Sequence, residues 1–439
     1  VVLPKSFIPP SSHRNVTAGP STTGGLHRYA PAMSEGAGEW GTVDLDIEGY
    51  LADGPAELRR CAAQAWCAHA IDAEGAPLPI VLAHDDVRQV LRDRRLSPRS
   101  FTADMLAAGL SERATHQLTP LFRRHGEEHR SYRGLLATAF TPRQVERMRP
   151  VAAAVAGRLA DGIAANDGRC ELVADLCAPL PPEVFAALFG LPASDRDRLA
   201  AWAATVVAAF SPPLSAEQLT AVEAACAEMR EWSLVLADDR RARPADDLVT
   251  HLTQAEVDGR QLTDDDIADV VTGFVFAGSE TTRRQLTAMV ALFAEHPQEW
   301  ERVAADHSLL PGAVEEVLRL RPIVPAMTRE AVDPYEHRDV HVEPGGRLVA
   351  SFLTANTDPE VFDGPDEFRP TRPNADTHVT FGWGPHHCLG APLARLELQE
   401  ALRALVTRFG PPELPDGPAP ASDLGIVAPD ELRVHFPLR

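Results

Sequence analysis

A glycine-rich loop with a single cysteine constrains this chain more than any other stretch of its sequence. The loop is Phe381-Gly382-Trp383-Gly384-Pro385-His386-His387-Cys388-Leu389-Gly390. After it, leucines recur in helical spacing at Leu393, Leu396, Leu398, Leu402 and Leu405. A helix is therefore predicted just after the loop. Its dipole and free N–H groups would favour the thiolate form of Cys388.

The glycines of this loop would let the backbone approach a large, flat molecule without side-chain clashes. A cysteine thiolate beneath such a molecule is what axial ligation of haem iron requires. A free cysteine in a surface turn would give the same local pattern. The loop alone does not decide between these two interpretations, so other parts of the chain must.

Size and charge exclude several classes of protein. A length of 439 residues suggests two or three domains, and a hydrophobic fraction of 44% is enough for a large core. The formal net charge of −21 argues against a general nucleic-acid or anionic-membrane surface. No run of about 18 apolar residues and no basic-apolar leader occurs, so neither a membrane span nor an export signal is expected.

The six cysteines indicate neither a disulfide framework nor a structural zinc site. No Cys-x-x-Cys pair occurs. Five cysteines lie in Ala- and Leu-rich stretches with helical patterning, namely Cys61, Cys67, Cys170, Cys177 and Cys226. This usage fits a reducing compartment, and a cytoplasmic location is expected.

The chain is expected to form one large domain that is mainly α with small β-sheets. Residues 1–42 are rich in Pro, Gly, Ser and Thr and are predicted to form an extended arm. A single domain is predicted over 43–439, because no low-complexity linker or repeat divides it. Residues 96–120 lack a clear pattern and are predicted to be a mobile loop over a pocket.

Periodicity, caps and turn residues predict the other elements. Helices are predicted at about 55–70, 85–92, 142–166, 181–188, 194–210, 216–239 and 313–321, a strand at 78–83, a hairpin at 341–352 around Pro344-Gly345-Gly346, and an irregular meander at 355–380. Thr141 and Pro142 supply an N-cap and a first-turn proline for the helix at 142–166.

The longest helix is predicted over 264–295, between the capping residues Thr263–Asp266 and Pro297. At 1.5 Å per residue it would span roughly 50 Å and cross the whole domain. Its middle contains Ala277-Gly278-Ser279-Glu280-Thr281. Small residues there would let a flat ligand lie against the backbone, and an acid beside a hydroxyl could relay protons. The alternative is a helix-packing notch with a solvated glutamate.

Two further patterns concern charged side chains. Glu316 and Arg319 lie on one helix face, and Arg372 could join them as a buried triad. His125-Gly126-Glu127-Glu128-His129 matches an inverted zinc-peptidase pattern, with Glu128 as the base. Against zinc, Gly126 weakens the helix and the surrounding residues are strongly cationic. The competing interpretation pairs His129 with Arg133, two donors one turn apart that face a carboxylate.

Three motifs in this order resemble a cytochrome P-450: Ala277–Thr281, Glu316–Arg319 and Phe381–Gly390. The resemblance extends over most of residues 75–410, and the first 40 residues match nothing in it. It implies the cytochrome P-450 fold, with the long helix about 264–295 crossing over the haem. It also implies a haem-thiolate monooxygenase that uses O2, similar to stand-alone bacterial members.

The resemblance assigns the haem b (iron protoporphyrin IX) site. Cys388 would be the axial ligand of the iron, within the loop from Phe381 to Gly390. The haem propionates would be held by His129, Arg133, Arg329 and His386, since charge-assisted hydrogen bonds to carboxylates suit these donors.

The resemblance also assigns the remaining motif residues. Ala277 and Gly278 would shape an oxygen groove, Thr281 would hydrogen-bond the bound oxygen, and Glu280 would feed protons through water. Glu316, Arg319 and Arg372 would form a structural triad behind the haem. These last three would not be catalysts.

The intact Glu280–Thr281 pair implies electrons from a ferredoxin and its reductase, because peroxide-using members of the family replace it. Seven arginines against three glutamates between Phe122 and Arg149 would offer a cationic docking face. The alternative is a solvated charged surface. No nucleic-acid or membrane partner is expected.

The substrate is expected to be a hydrophobic organic molecule, because the predicted pocket residues are mainly apolar. They are Phe274, Ile323, Val324 and Met327. Hydroxylation or epoxidation in secondary metabolism is the expected reaction. The alternatives are a non-hydroxylating oxidation such as C–C or C–N coupling, a non-catalytic haem-binding or recruitment module, and the zinc peptidase.

Overall fold

The computed structural model describes residues 42–44, 47–71, 77–137, 140–191, 195–210, 214–257, 259–417 and 428–439. The predicted arm at 1–42 lies outside these residues except for Thr42, which begins the first strand. Residues 211–213, between the helices predicted at 194–210 and 216–239, also lie outside them.

Helices dominate this part of the chain. They are α1 (Ile47–Ala62), α2 (His84–Arg92), α3 (Arg99–Ala107), α4 (Glu112–Leu118), α5 (Gly126–Ala137), α6 (Pro142–Glu146), α7 (Arg149–Ala165), α8 (Leu180–Leu188), α9 (Arg196–Val206), α10 (Ala216–Ala242), α11 (Leu248–Gln254), α12 (Asp264–Glu295), α13 (Pro297–Ala305), α14 (Leu310–Leu320), α15 (Phe352–Ala355) and α16 (Ala391–Arg408).

The strands are short. They are β1 (Thr42–Asp44), β2 (Cys67–Ile71), β3 (Pro77–Val81), β4 (Leu96–Ser97), β5 (Arg169–Glu171), β6 (Glu256–Val257), β7 (Arg260–Gln261), β8 (Ala326–Ala331), β9 (Tyr335–His337), β10 (Val340–Val342), β11 (Arg347–Ser351) and β12 (Arg433–His435). Six of them form one sheet in the order β1-β2-β3-β11-β8-β4, and the others pair in twos. The predicted mainly α fold with small sheets is confirmed.

Helix α12 runs through the middle of the helical part, with the bounds that the sequence predicted. Thr263 and Asp266 form a capping box, in which each side chain accepts a hydrogen bond from the other residue's backbone N–H. At its other end, Pro297 begins α13. Helices α8, α9, α10 and α16 pack around α12, so most of its surface is buried.

Three local predictions were wrong. Residues 67–71 form strand β2 and do not continue a helix, because they pair antiparallel with β3. Residues 96–120 are largely helical, as α3 and α4, and Ser111 caps α4 by accepting a hydrogen bond from Ala114 N–H. The helix at 142–166 is divided into α6 and α7, since Pro150 has no N–H to donate to the preceding turn.

The predicted hairpin at 341–352 was also wrong. Strand β10 pairs with β9, whereas β11 pairs with β3 and β8. The turn between them bonds to a different strand, because Gly345 N–H donates to the Ala331 carbonyl at 2.8 Å. The expected turn is therefore present, but its two strands belong to different sheets.

Candidate functional site

The cysteine loop closes on itself just before α16. Cys388 N–H donates to the Phe381 carbonyl at 2.8 Å, which brings the two ends of the loop together. Gly384 has a φ of +72° and a Cβ there would lie 2.7 Å from Cα of Arg92, so both conformation and space require glycine. Among the cysteines that the structure describes, Cys388 is exposed and the others are buried.

Cys388 is exposed as a residue, and its thiol is surrounded by protein. Desolvation by this surrounding protein raises the pKa of the thiol. Backbone hydrogen bonds from Gly390 and Ala391, and the positive charges of Arg133 and Arg395, lower that pKa. The helix N-terminus therefore lowers the pKa of the thiol as predicted, but desolvation raises this pKa by more in the protein alone. A bound cation would be needed to favour the thiolate fully.

The middle of α12 has one accessible stripe on an otherwise buried helix. Between Ile267 and Thr282, only Phe274, Ala277, Gly278 and Thr281 are accessible. Their spacing of three, four and seven residues places them on one face. These four residues therefore form one accessible stripe on a helix that is otherwise packed against its neighbours. Thr281 Oγ1 donates to the Ala277 carbonyl at 2.6 Å and leaves its lone pairs free on that stripe.

Gly278 also has a packing role, on the side of α12 that meets α8. A Cβ at Gly278 would lie 2.6 Å from Cε2 of Phe185, and closer still to Cζ. The structure thus explains this glycine by helix packing, which was the alternative interpretation of the sequence. Ala277 is exposed on the accessible stripe.

Glu280 is held by an ion-pair network that the sequence did not predict. Its carboxylate accepts hydrogen bonds at 2.6 Å from Nε of Arg283 and from Nε of Arg284. Asp430 shares both guanidiniums, with Oδ1 at 2.7 Å from Arg284 and 3.3 Å from Arg283. Glu280 is buried, so it lies in the network and not in bulk solvent as a solvated glutamate would.

Four cationic or imidazole donors come together beside the cysteine loop. The rings of His129 and His386 lie 3.9 Å apart between centroids. Arg133 Nη2 donates to the His387 carbonyl at 2.5 Å. Arg329 is buried, and its hydrogen bonds go to the Thr328 carbonyl at 3.1 Å and to the Met327 sulfur at 3.6 Å. A cavity of about 390 Å³ borders the two histidines and Arg133.

This donor cluster lacks the negative charge that its members would need. Burial and then Arg133 lower the pKa of His129 to about 4, and burial and then His129 lower the pKa of His386 to about 2. Burial lowers the pKa of Arg329 to about 10. His129 Nε2 is buried without a hydrogen-bond partner. A molecule that carries two carboxylates beside an iron atom fits this cluster and Cys388 together.

The predicted triad meets in the interior. Glu316 Oε1 accepts from Nε of Arg319 at 2.5 Å and from Nε of Arg372 at 2.9 Å. All three side chains are almost fully buried. Backbone carbonyls of the meander accept the remaining guanidinium N–H groups, as Asn356 and Glu367 do from Arg319. This arrangement connects α14 to the meander and contacts no open space.

The predicted substrate residues are placed differently from one another. Phe274 lies on the accessible stripe, and its ring packs at 5.0 Å from that of Phe140. Val324 and Met327 are partly accessible. Ile323 is buried in a small apolar cluster with Ala288 and Ala428, so its role as a pocket residue stays a prediction.

Residues 122–149 carry both the zinc-peptidase pattern and the predicted cationic docking face. Among the described residues, no group of three His, Cys, Asp or Glu side chains could hold a metal ion. Most of the arginines are already paired: Arg123 with Asp269, Arg124 with Asp266, Arg130 with Glu127, Arg147 with Asp246, and Arg149 with Glu146 and Glu400. The free positive charge of this face is therefore smaller than the sequence suggested.

This fold, its exposed cysteine and its donors without a negative partner are those of a haem-thiolate protein. The chain belongs to the cytochrome P450 family. The family model "Cytochrome P450" matches residues 215–432. Cyclomarin C epoxidase CymV of Salinispora arenicola is 38% identical over 311 residues, which cover 70% of this chain and 78% of that protein. Erythromycin C-12 hydroxylase of Saccharopolyspora erythraea is 35% identical, over 75% of this chain and 81% of that protein.

The solved structures agree with this assignment. Cytochrome P450 CYP109Q5 from Chondromyces apiculatus superimposes with a TM-score of 0.80 and 26% identity, over 91% of this chain and 99% of that one. Membership places the chain among oxidoreductases that incorporate oxygen, as the named epoxidase and hydroxylase do. None of the helices in the described ranges is long and apolar enough to cross a membrane.

Proposed function

We propose that this protein binds haem b through Cys388 and inserts one atom of O2 into a hydrophobic organic molecule. The accessible Cys388 beside an uncompensated donor cluster carries this proposal, because the two features match the iron and the carboxylates of one cofactor. Haem supplies the activation of oxygen when it is bound. His129, Arg133, Arg329 and His386 would hold its carboxylates.

Absorption spectroscopy tests the ligand. The reduced, carbon-monoxide-bound protein should show the red-shifted Soret band of a thiolate-ligated haem. Cys388→Ser should lose that band, and Cys226→Ala should keep it, since Cys226 is buried in α10 away from the loop. A wild-type protein that binds haem without this band would contradict the proposal.

The chain's own part in the chemistry is to deliver protons within a shielded space. Thr281 presents a hydroxyl on the accessible stripe of α12, where it can hold a proton at Oγ1 next to the substrate. Glu280 is the next residue and would supply protons through water once a guanidinium releases it. The apolar residues of the stripe would exclude bulk water.

Removal of the Thr281 hydroxyl should separate electron use from product formation. In Thr281→Ala, electron consumption should continue while the product formed per electron pair falls severalfold, because the hydroxyl that directs protons to the bound oxygen is missing. Thr281→Ser keeps the hydroxyl and should retain most of the coupling. If Thr281→Ala stays tightly coupled, the proposed role of this hydroxyl is wrong.

The proposed substrate is a hydrophobic natural product of secondary metabolism. Phe274 and Ala277 give the stripe an apolar surface, and the named relatives act on cyclomarin C and erythromycin. Addition of the substrate should shift the spin state of the ferric haem by displacing water. A panel of such molecules screened by this shift would identify the class, and a response limited to small charged molecules would contradict it.

The proposed electron donors are a ferredoxin and a ferredoxin reductase. Support comes from the intact Glu280–Thr281 pair and the family resemblance, and less from the largely paired arginines at 122–149. Turnover with these two proteins should exceed turnover with hydrogen peroxide. Peroxide-driven turnover that needs no ferredoxin would contradict this part of the proposal.

A further inference from the structure

A second charged cluster lies behind the cysteine loop, apart from the donors described above. Arg395 of α16 forms a bidentate pair with Glu315 of α14, with Nε to Oε1 at 2.7 Å and Nη2 to Oε2 at 2.9 Å. His378 Nε2 lies 3.1 Å from the same Oε2. His378 is buried, and both charged side chains are mostly shielded from solvent.

The hydrogen bonds define the charge of each member. His378 Nδ1 accepts the Thr380 N–H at 3.2 Å, so the imidazole proton lies on Nε2 and is donated to Glu315. Burial lowers the pKa of His378 and keeps it neutral. Burial also opposes ionisation of Glu315, but hydrogen bonds from His378 and Arg395 lower its pKa to about 2. The cluster thus holds one negative and one positive charge.

The positive charge lies next to the loop that carries the cysteine. The guanidinium carbon of Arg395 is 4.6 Å from the centroid of the Phe381 ring, within cation–π range. The Phe381 carbonyl accepts the Cys388 N–H at 2.8 Å. Phe381 therefore connects Arg395 to the backbone of Cys388, the proposed iron ligand, in a region of low dielectric.

We propose that Arg395 and Glu315 are positioning residues that set the reduction potential of the haem on Cys388, in opposite directions. The one-electron reduction of ferric haem adds a negative charge to the site. A nearby guanidinium stabilises that charge, and a nearby carboxylate destabilises it. Because they act on the haem through Phe381 and the loop, this inference rests on the proposed haem-thiolate function.

Potentiometric titration of the haem-loaded protein at pH 8 tests the proposal, since Glu315 is ionised and His378 neutral there. Arg395→Gln should lower the potential and Glu315→Gln should raise it. Each shift is expected to be about tenfold in the ferric–ferrous equilibrium, or about 59 mV for one electron. Arg395→Lys keeps the charge and should stay near the wild type. Arg403→Gln, at a half-exposed position of the same helix, should change nothing.

The opposite directions of the two expected shifts in potential distinguish an electrostatic effect from an effect of loosened packing. Potentials that stay unchanged in both variants, or that move in the same direction, overturn the proposal, because a structural disturbance has no reason to reverse sign with the charge removed. A wild-type protein without the thiolate Soret band would overturn the proposed function itself. A normal band with unmoved potentials overturns this inference alone.

Discussion

Gly278 is a residue whose missing side chain determines how two helices meet. A Cβ there would lie 2.6 Å from Cε2 of Phe185, so Gly278→Ala must displace a buried ring. We expect a loss of about 1–3 kcal/mol in the free energy of unfolding, partly offset by the better helix propensity of alanine. Urea unfolding of the haem-loaded protein measures it.

A matched glycine provides the control for this substitution. Gly162 lies inside α7 with no heavy atom within 4 Å of a Cβ, so Gly162→Ala should stabilise the protein by about 0.5–1 kcal/mol. Phe185→Leu combined with Gly278→Ala should recover part of the loss, because the smaller side chain makes room. Equal effects of the two glycine substitutions would show that packing against Phe185 is not the reason for Gly278.

Asp430 is the single residue whose effect on Glu280 is easiest to isolate. It competes with Glu280 for the guanidiniums of Arg283 and Arg284, and its own side chain is largely exposed. In Asp430→Asn both guanidiniums should hold Glu280 more firmly and slow proton delivery. Turnover is expected to fall severalfold with a larger solvent isotope effect. The substrate-induced spin shift should be unchanged.

The neighbouring Glu431 supplies the control, because it is exposed next to Asp430. Glu431→Gln should leave turnover and isotope effect as in the wild type. If Asp430→Asn behaves like Glu431→Gln, the network has no part in proton delivery. A loss of substrate binding in Asp430→Asn would instead indicate a disturbed C-terminal segment.

At the scale of elements, the Glu316 triad connects α14 to the meander. Glu316→Gln would leave Arg319 and Arg372 buried without a counter-charge. We expect a loss of about 3–5 kcal/mol in the free energy of unfolding. Glu299→Gln removes a partly exposed pair with Arg302 and should cost at most about 0.5 kcal/mol. Similar losses in both variants would contradict a special role for the buried triad.

Elements were predictable where their signals are local. Helix α12 has the predicted bounds because its capping box and Pro297 are adjacent in sequence to its ends. The hairpin at 341–352 was wrong because β11 pairs with β8, on the other side of the β9–β10 pair, and with β3, far away in the chain. The periodicity of a sequence segment does not indicate which strands pair with it.

In the candidate site, too, local sequence patterns were predictive and contacts between distant residues were not. The loop around Cys388 and the donors His129 and Arg133 follow from short motifs, and the structure places them together with His386. The partner Asp430 carried no pattern, because its contact with Arg284 joins residues far apart in sequence. The two consecutive arginines three and four residues after Glu280 were a local signal that could have indicated its ion pairs.

At the scale of the whole molecule, this acidic protein concentrates positive and imidazole groups at one place in its interior. The chain has a net charge of −21, yet its interior beside Cys388 collects His129, Arg133, Arg329 and His386. A cofactor with two carboxylates would neutralise this cluster, so its binding energy would add to the free energy of folding. The apo-protein should therefore unfold at a lower temperature than the haem-loaded protein.

His129 links that stability to pH. Its pKa of about 4 in the apo-protein lies below the unfolded value of about 6.5, so the unfolded chain binds the proton more readily. Stability from this residue is present above pH 6.5 and is lost as the pH falls towards 4, by about 2 kcal/mol at pH 5. Bound carboxylates would favour the imidazolium and remove this loss.

His129→Gln should therefore flatten the pH dependence of urea unfolding in the apo-protein and change it little in the haem-loaded protein. An equal effect in both forms would show that the bound cofactor does not change the protonation of His129.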